Sequence, residues 1–308
     1  MIFRPERLGL VGFALVFILA FVFHGMGDGA SGDPNRREAQ RRPPIVQQAQ
    51  VRRSAPAAPN RSPAGELAPI SRNDPTVQIK PSKKGNSTGT AFSVGDGIWM
   101  TARHVLEGCA TFGIITGPKR VERGLRAVLN PSHDLAVFHT QRQTAPLGFE
   151  QAGLKRGQDA FHFGYPQGKA ADVRSTLLGR MNVTHGGGWD GTGRRGVGGG
   201  RAKEPVIAWA EVKRVPAFTG SLGGISGGPV VDADGKVIGV TVAGSPRRGR
   251  IFTTAPAGLR HMLTLAGTPV RSSTYGVVNE TIDPQEFPRV GAALRKKLTV
   301  AKVICWVD

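Results

Sequence analysis

The stretch that most constrains this chain is Gly220–Gly244, GSLGGISGGPVVDADGKVIGVTVAG, with Ser226 at its centre between paired glycines. Glycines on both sides of one serine let the backbone turn tightly and bring N–H groups close to whatever meets the hydroxyl, where a Cβ would obstruct. The apolar run Pro229 to Val231, the turn Asp232 to Gly235 and the run Val237 to Val242 then read as a hairpin, so the serine sits at a strand's edge. A serine hydroxyl alone is a poor nucleophile. It needs a base to take its proton and a third group to orient that base.

Both candidates lie upstream. His104 stands in TARHV, where an apolar strand ends and a short helical turn begins, and Asp134 stands in HDLAV at the start of another apolar strand. TARHV, HDLAV and GISGGP, in this order, resemble the three signatures of the chymotrypsin-fold serine peptidases. The blocks GTAFSVGDGIWMTARHV and GGPVVDADGKVIGV bring the likeness closest to the bacterial HtrA-like branch, over residues 85 to 265. The resemblance implies that Ser226 is the nucleophile, His104 the general base and then acid, and Asp134 the residue that fixes the imidazole tautomer. It also implies an oxyanion hole made by the Gly224 and Ser226 backbone N–H groups, each donor worth about 3 kcal/mol.

Two departures from the digestive relatives carry physical meaning. Ile225 stands where zymogen-type enzymes place an Asp that pairs with a freshly cut N-terminus, so activation by trimming is not expected. Val242 stands where they place a serine that supports the catalytic Asp, so Asp134 must find hydrogen bonds elsewhere. By the same alignment, the specificity pocket is formed by Gly220 at its floor and by Val242, Ala243 and Gly244 along its wall. No carboxylate stands at Gly220 to receive Lys or Arg, and a medium apolar side chain before the scissile bond is the expected preference. The peptide would add as a strand.

Short apolar runs broken by Gly and Pro (Thr88 to Val94, Ile98 to Thr101, Thr111 to Thr116, Ala127 to Leu129, Leu135 to His139, Ala160 to Phe163, Val206 to Trp209) point to an all-β fold. The resemblance makes it a chymotrypsin-like pair of six-stranded barrels, with His104 and Asp134 from the first and Ser226 from the second. Gly164 to Gln167 resembles a loop preceding the second barrel's first hairpin, and no chemistry is assigned to it. The stretch between His185 and Glu204, with Arg194, Arg195 and Arg201, is too glycine-rich for helix or strand and reads as a surface insertion.

The organisation follows: 1–26 a membrane anchor or signal segment, 27–75 a disordered Pro/Arg-rich linker, 76–265 the protease domain and 266–308 a C-terminal extension. Leu8 to Phe23 is an apolar run behind Arg4 and Arg7, which predicts an N-terminal hydrophobic helix. As an uncleaved anchor it would make a single-pass inner-membrane protein with the catalytic domain in the periplasm or outside; as a cleaved signal it would give a secreted one. The linker is too poor in aliphatics to offset its ordering entropy. Beyond a closing helix, Pro256 to Leu265, the extension is too short for the PDZ domain usual in HtrA-like enzymes, and Leu298 to Val307 is a strand-like end expected to dock on the barrel. The two cysteines, Cys109 and Cys305, either bridge tail to barrel or stay as two buried thiols.

The net charge is +19, and residues 1 to 75 hold ten Arg against six Asp or Glu, so the remainder keeps +15. Such a surface suits anionic surroundings. Nucleic acid is not the expected partner, and no metal-ligand spacing or phosphate loop suggests a cofactor. The sequence therefore predicts a serine endopeptidase acting on polypeptides without metal or cofactor, against two rivals: a silent protease fold that binds peptides, and a polyanion-binding envelope protein.

Overall fold

The computed structural model describes residues 65–79, 85–150, 153–185, 203–245, 249–268, 278 and 280–308. The expected N-terminal helix, the linker up to residue 64 and residues 186–202 of the glycine-rich insertion lie outside them. Among the described residues no helix is long and apolar enough to cross a membrane.

The fold is all-β and chymotrypsin-like. After β1 (Thr76–Ile79), the first half contains β2 (Ser87–Gly95), β3 (Ile98–Thr101), β4 (Thr111–Gly117), β5 (Arg120–Arg123), β6 (Ala127–Leu129) and β7 (Ala136–His139). The β2–β3 hairpin turns through Gly95, Asp96 and Gly97, all at positive φ. A Cβ on Gly97 would lie 2.6 Å from the Thr140 carbonyl oxygen, so no larger residue fits this turn. The second half contains β8 (Asp159–Gly164), β9 (Ala171–His185), β10 (Lys203–Val215), β11 (Pro229–Val231), β12 (Val237–Ser245) and β13 (Arg250–Thr254). These pair in the order β9-β10-β13-β12-β11-β8, and β8 pairs back onto β9, closing a six-stranded barrel.

The first half is built differently. Its sheet runs β5-β4-β14-β2-β3-β7-β6, where β14 is Val300–Trp306 from the end of the chain. The two end strands belong to one bent stretch: β5 pairs with β4, Gly124 N–H donates to the Phe112 carbonyl, Leu125 N–H donates to the His139 carbonyl, and β6 pairs with β7. The sheet thus curls round on itself with six runs of chain, one of them borrowed from the tail. Its strands β2, β3 and β7 are buried on both faces. Phe92, Met100, Val137 and Val300 pack on one side with Phe161 and Phe163 of β8, while Ala91, Trp99, Phe138 and Val303 pack on the other with Ile114. That explains why β2 and β3 read as continuous apolar runs without alternation.

The C-terminal segment is integral to both halves. The closing helix α2 (Pro256–Leu265) falls where the sequence placed it, and a further helix α3 (Phe287–Lys296) docks on the second barrel. The Phe287 ring stacks on Phe161 at 5.5 Å, and Arg295 grips the buried Asp172 with two hydrogen bonds of 2.6 and 2.8 Å. Here α1, Arg103–Leu106, denotes the helical turn after β3. Cys305 at the end of β14 is bonded to Cys109, three residues beyond α1, with Cα atoms 5.4 Å apart. At the other end, residues expected to close the linker lie on the second barrel: Leu67 N–H donates to the Leu154 carbonyl, and β1 runs parallel to β9.

Candidate active site

His104 lies in α1, directly after the buried strand β3. Asp134 precedes β7, which pairs with β3 through Thr101↔Ala136, so the ladder brings the two residues together. The Asp134 carboxylate accepts twice from His104: Oδ1 takes the backbone N–H at 2.9 Å and Oδ2 lies 2.6 Å from the ring Nδ1. A carboxylate only accepts, so Nδ1 carries the proton and the lone pair is left on Nε2. The Asp134 side chain is 6% exposed and the His104 ring 34%. Burial disfavours the imidazolium, but the charge and hydrogen bond of Asp134 outweigh it, with smaller help from Glu204 and Glu107, and the His104 pKa rises above its ordinary value.

The Ser226 turn, from the other half, packs against β2 and the end of β3. Its carbonyl accepts the Thr90 N–H at 2.8 Å. The next residue, Gly227, has φ +86°, and a Cβ there would collide with Thr101 Oγ1 and the Thr90 carbonyl and lie 2.9 Å from the Ala102 nitrogen, two residues before His104. Only glycine lets the serine turn press this closely on the end of β3. Thr90 is the hub of the contact. Its hydroxyl donates to the Gly224 carbonyl at 2.8 Å and accepts from the Tyr165 N–H at 3.1 Å.

Gln167, in the Gly164–Gln167 loop, clamps the approach to the serine. Its backbone N–H donates to the Gly223 carbonyl, and its side-chain Nε2 donates to the carbonyls of Thr219 and Ser221 at 2.9 and 3.1 Å. Because the peptide is planar and trans, holding the Gly223 oxygen on the Gln167 side turns the Gly224 N–H the opposite way. Among the described residues neither this N–H nor that of Ser226 has a hydrogen-bond partner.

Of the other predicted site residues, Val242 is buried and Gly244 lies beside Leu222, whose Cδ1 would be 3.7 Å from a Cβ at that glycine. Beyond Thr241 the strand has left β11 behind, so among the described residues Val242–Ser245 pairs only with β13 and keeps one edge open. The Gly220 carbonyl is held at 2.9 Å by Arg214, which also binds Glu211 with both carboxylate oxygens. Glu211 of β10 is therefore answered by its own partner. Asp134 is also held by its backbone: Glu204 Oε1 accepts the Asp134 N–H at 2.8 Å.

A second group of the same residue types needs separating from this one. His162 Nε2 meets Ser175 Oγ at 2.7 Å, and Asp159 lies on the same strand as His162. Yet the other ring nitrogen faces Thr241 Oγ1 at 3.1 Å, while Asp159 is held by Arg174 and Thr176. His162 and Ser175 have no exposed surface. A substrate cannot reach that serine, and the group is a structural polar core. No cluster of three or more potential metal ligands occurs among the described residues.

Residues 89–240 match the trypsin-like peptidase domain family, and the chain carries a trypsin-like peptidase domain. A curated relative, the protein y4bJ of Sinorhizobium fredii, is 28% identical over 160 residues, which are 51% of this chain and 22% of the relative. The chain thus spans about a fifth of that relative's length. Among solved structures the fold is similar to the Rv3671c protease from M. tuberculosis in its active form, with a TM-score of 0.48 and 19% identity over 70% of this chain and 100% of that one. It is also similar to the HtrA-type protease AlgW with a decapeptide, at 0.42 and 21% over 58% and 51%. Deg5 gives 0.40 and 21% over 59% and 86%.

Proposed function

We propose that the protein is a serine endopeptidase in which His104, Asp134 and Ser226 form the catalytic triad. The observation that carries this reading is the 2.6 Å His104–Asp134 pair standing on the very strand end against which Gly227 presses the serine turn. An extended polypeptide adds along the open edge of Val242–Ser245. His104 Nε2 takes the Ser226 proton as Oγ attacks the scissile carbonyl, and Asp134 stabilises the imidazolium that forms. The N–H groups of Gly224 and Ser226 receive the oxyanion, each lowering the barrier by about 3 kcal/mol. The imidazolium then protonates the leaving amine, and water repeats the sequence on the acyl-enzyme.

The apolar neighbourhood of Leu222 and Gly244, together with the pairing of Glu211 by Arg214, supports cleavage after medium apolar residues. The Cys109–Cys305 bond supports an oxidising compartment, in keeping with export through the N-terminal segment.

Purified wild type and Ser226→Ala, each incubated with unfolded casein and with a fluorophosphonate probe, test the reading. Wild type should cleave and label at Ser226, and the variant should lose about a millionfold in kcat. A wild type that neither cleaves nor labels would make the domain a silent fold. Mapped cuts mostly after Lys or Arg would overturn the apolar preference.

A further inference from the structure

Asp134 is buried, and by the resemblance to digestive enzymes the position of their supporting hydroxyl falls to Val242, also buried, which brings no donor. Glu204 holds the same residue from its backbone side. It stands at the start of β10 in the second barrel and is itself buried, 7% exposed. Its Oε1 accepts the Asp134 N–H at 2.8 Å. A buried carboxylate is costly unless its charge is answered. The cation beside it is Arg103 of α1, whose guanidinium also feels Glu107 and Asp134; the His133 ring, which burial keeps toward its neutral form, has Nδ1 4.0 Å from the same oxygen. His261 of α2 packs edge-on against His133, and Asn130 holds His261 at 3.2 Å.

We propose that Glu204 is a positioning residue for the His104–Asp134 pair: it fixes the Asp134 backbone across the barrel interface and adds a second negative charge that favours the imidazolium formed during peptide cleavage. The arrangement is asymmetric in a useful way. Asp134 touches the imidazole and Glu204 does not, so Glu204 acts through the backbone it anchors and through its field. His104 is faced by Asp134, Glu107 and Glu204, and among these only Glu204 comes from the barrel that carries the serine. The same carboxylate therefore ties the base to the half that holds the nucleophile. This inference rests on the protease reading, and the test separates the two.

Glu204→Gln keeps an oxygen for the Asp134 N–H and removes the charge, whereas Glu204→Ala removes both. In the full chain carrying Ser226→Ala, NMR titration of the His104 ring should move to lower pH in both variants, whether or not the wild type cleaves anything. With Ser226 intact, Glu204→Gln should shift the acid limb of kcat/KM to lower pH and keep kcat within about threefold. Glu204→Ala should also lower kcat by about tenfold to a hundredfold with KM unchanged, as a displaced base would. If both variants lose thermal stability while the His104 titration and the acid limb stay in place, Glu204 is merely structural and the inference is overturned. If Glu204→Ala does not fold, the titration of Glu204→Gln alone decides. A wild type without activity but with a shifted titration would sink the protease reading and leave the positioning role standing.

Discussion

The two halves of this molecule reach similar curled sheets by opposite routes. The second barrel is closed by β8 to β13, strands that follow one another in the chain, and its interior holds a satisfied polar group in which His162 bridges Ser175 and Thr241 while Trp209 donates to Thr253. The first half is incomplete until β14 arrives from about 160 residues beyond β7 and inserts between β2 and β4. Ser226 thus sits on a frame whose strand ladder closes locally, and His104 and Asp134 sit on one whose ladder needs the far end of the chain.

Removing β14 is the harshest way to break this contrast. A chain ending before Val300 should lose amide-exchange protection in β2, β3 and β7 and all peptidase activity, while β9 to β13 stay protected, because Val300, Ala301 and Val303 are fully buried. Equal loss in both halves would mean that the second barrel is not self-sufficient.

The next effect belongs to the second half. Burial holds the His162 pKa down to about 3, against about 6.5 in the unfolded chain. The unfolded state then binds the extra proton first, so the stability contributed by neutral His162 is complete above pH 6.5 and falls away as pH drops toward 3. The loss should be on the order of 4 kcal/mol by denaturant titration, and His162→Gln should flatten the slope.

Opening the Cys109–Cys305 bond by a double Cys→Ser substitution should cost about 2–4 kcal/mol. The loss should be read first by exchange in β14 and β4 rather than in the second barrel. Gln167→Ala is the smallest step. It leaves the backbone N–H on Gly223 but frees the carbonyls of Thr219 and Ser221, and kcat should fall by about tenfold, roughly the worth of one hydrogen bond, with melting temperature unchanged. Acting on the serine side alone, it should leave the acid limb of kcat/KM, set by the raised His104 pKa, where it was.

How far the sequence revealed this follows the same division. The hairpin β2–β3, the turn glycines around Ser226 and helix α2 were legible because each is specified by neighbours in the chain. The strand character of the tail was legible too, but its slot between β2 and β4 was not, since an apolar run carries no address for its partner. Strand β9, with Arg174, Arg180 and Asn182 among its apolar residues, blurs the period-two pattern and went unrecognised. Thr90, Gln167 and Glu204 were invisible as site residues for a related reason. A threonine in a strand, a glutamine in a turn and a glutamate behind a glycine-rich run each look ordinary until residues more than 50 positions away are brought against them.

The placement of β14 also sets an order of events during synthesis. A nascent chain that has emerged only as far as residue 265 already carries the serine turn and the whole second barrel, yet it lacks the final segment on which the imidazole's scaffold depends. If the proposed triad is right, peptidase activity should appear on the ribosome only once translation has gone past Trp306.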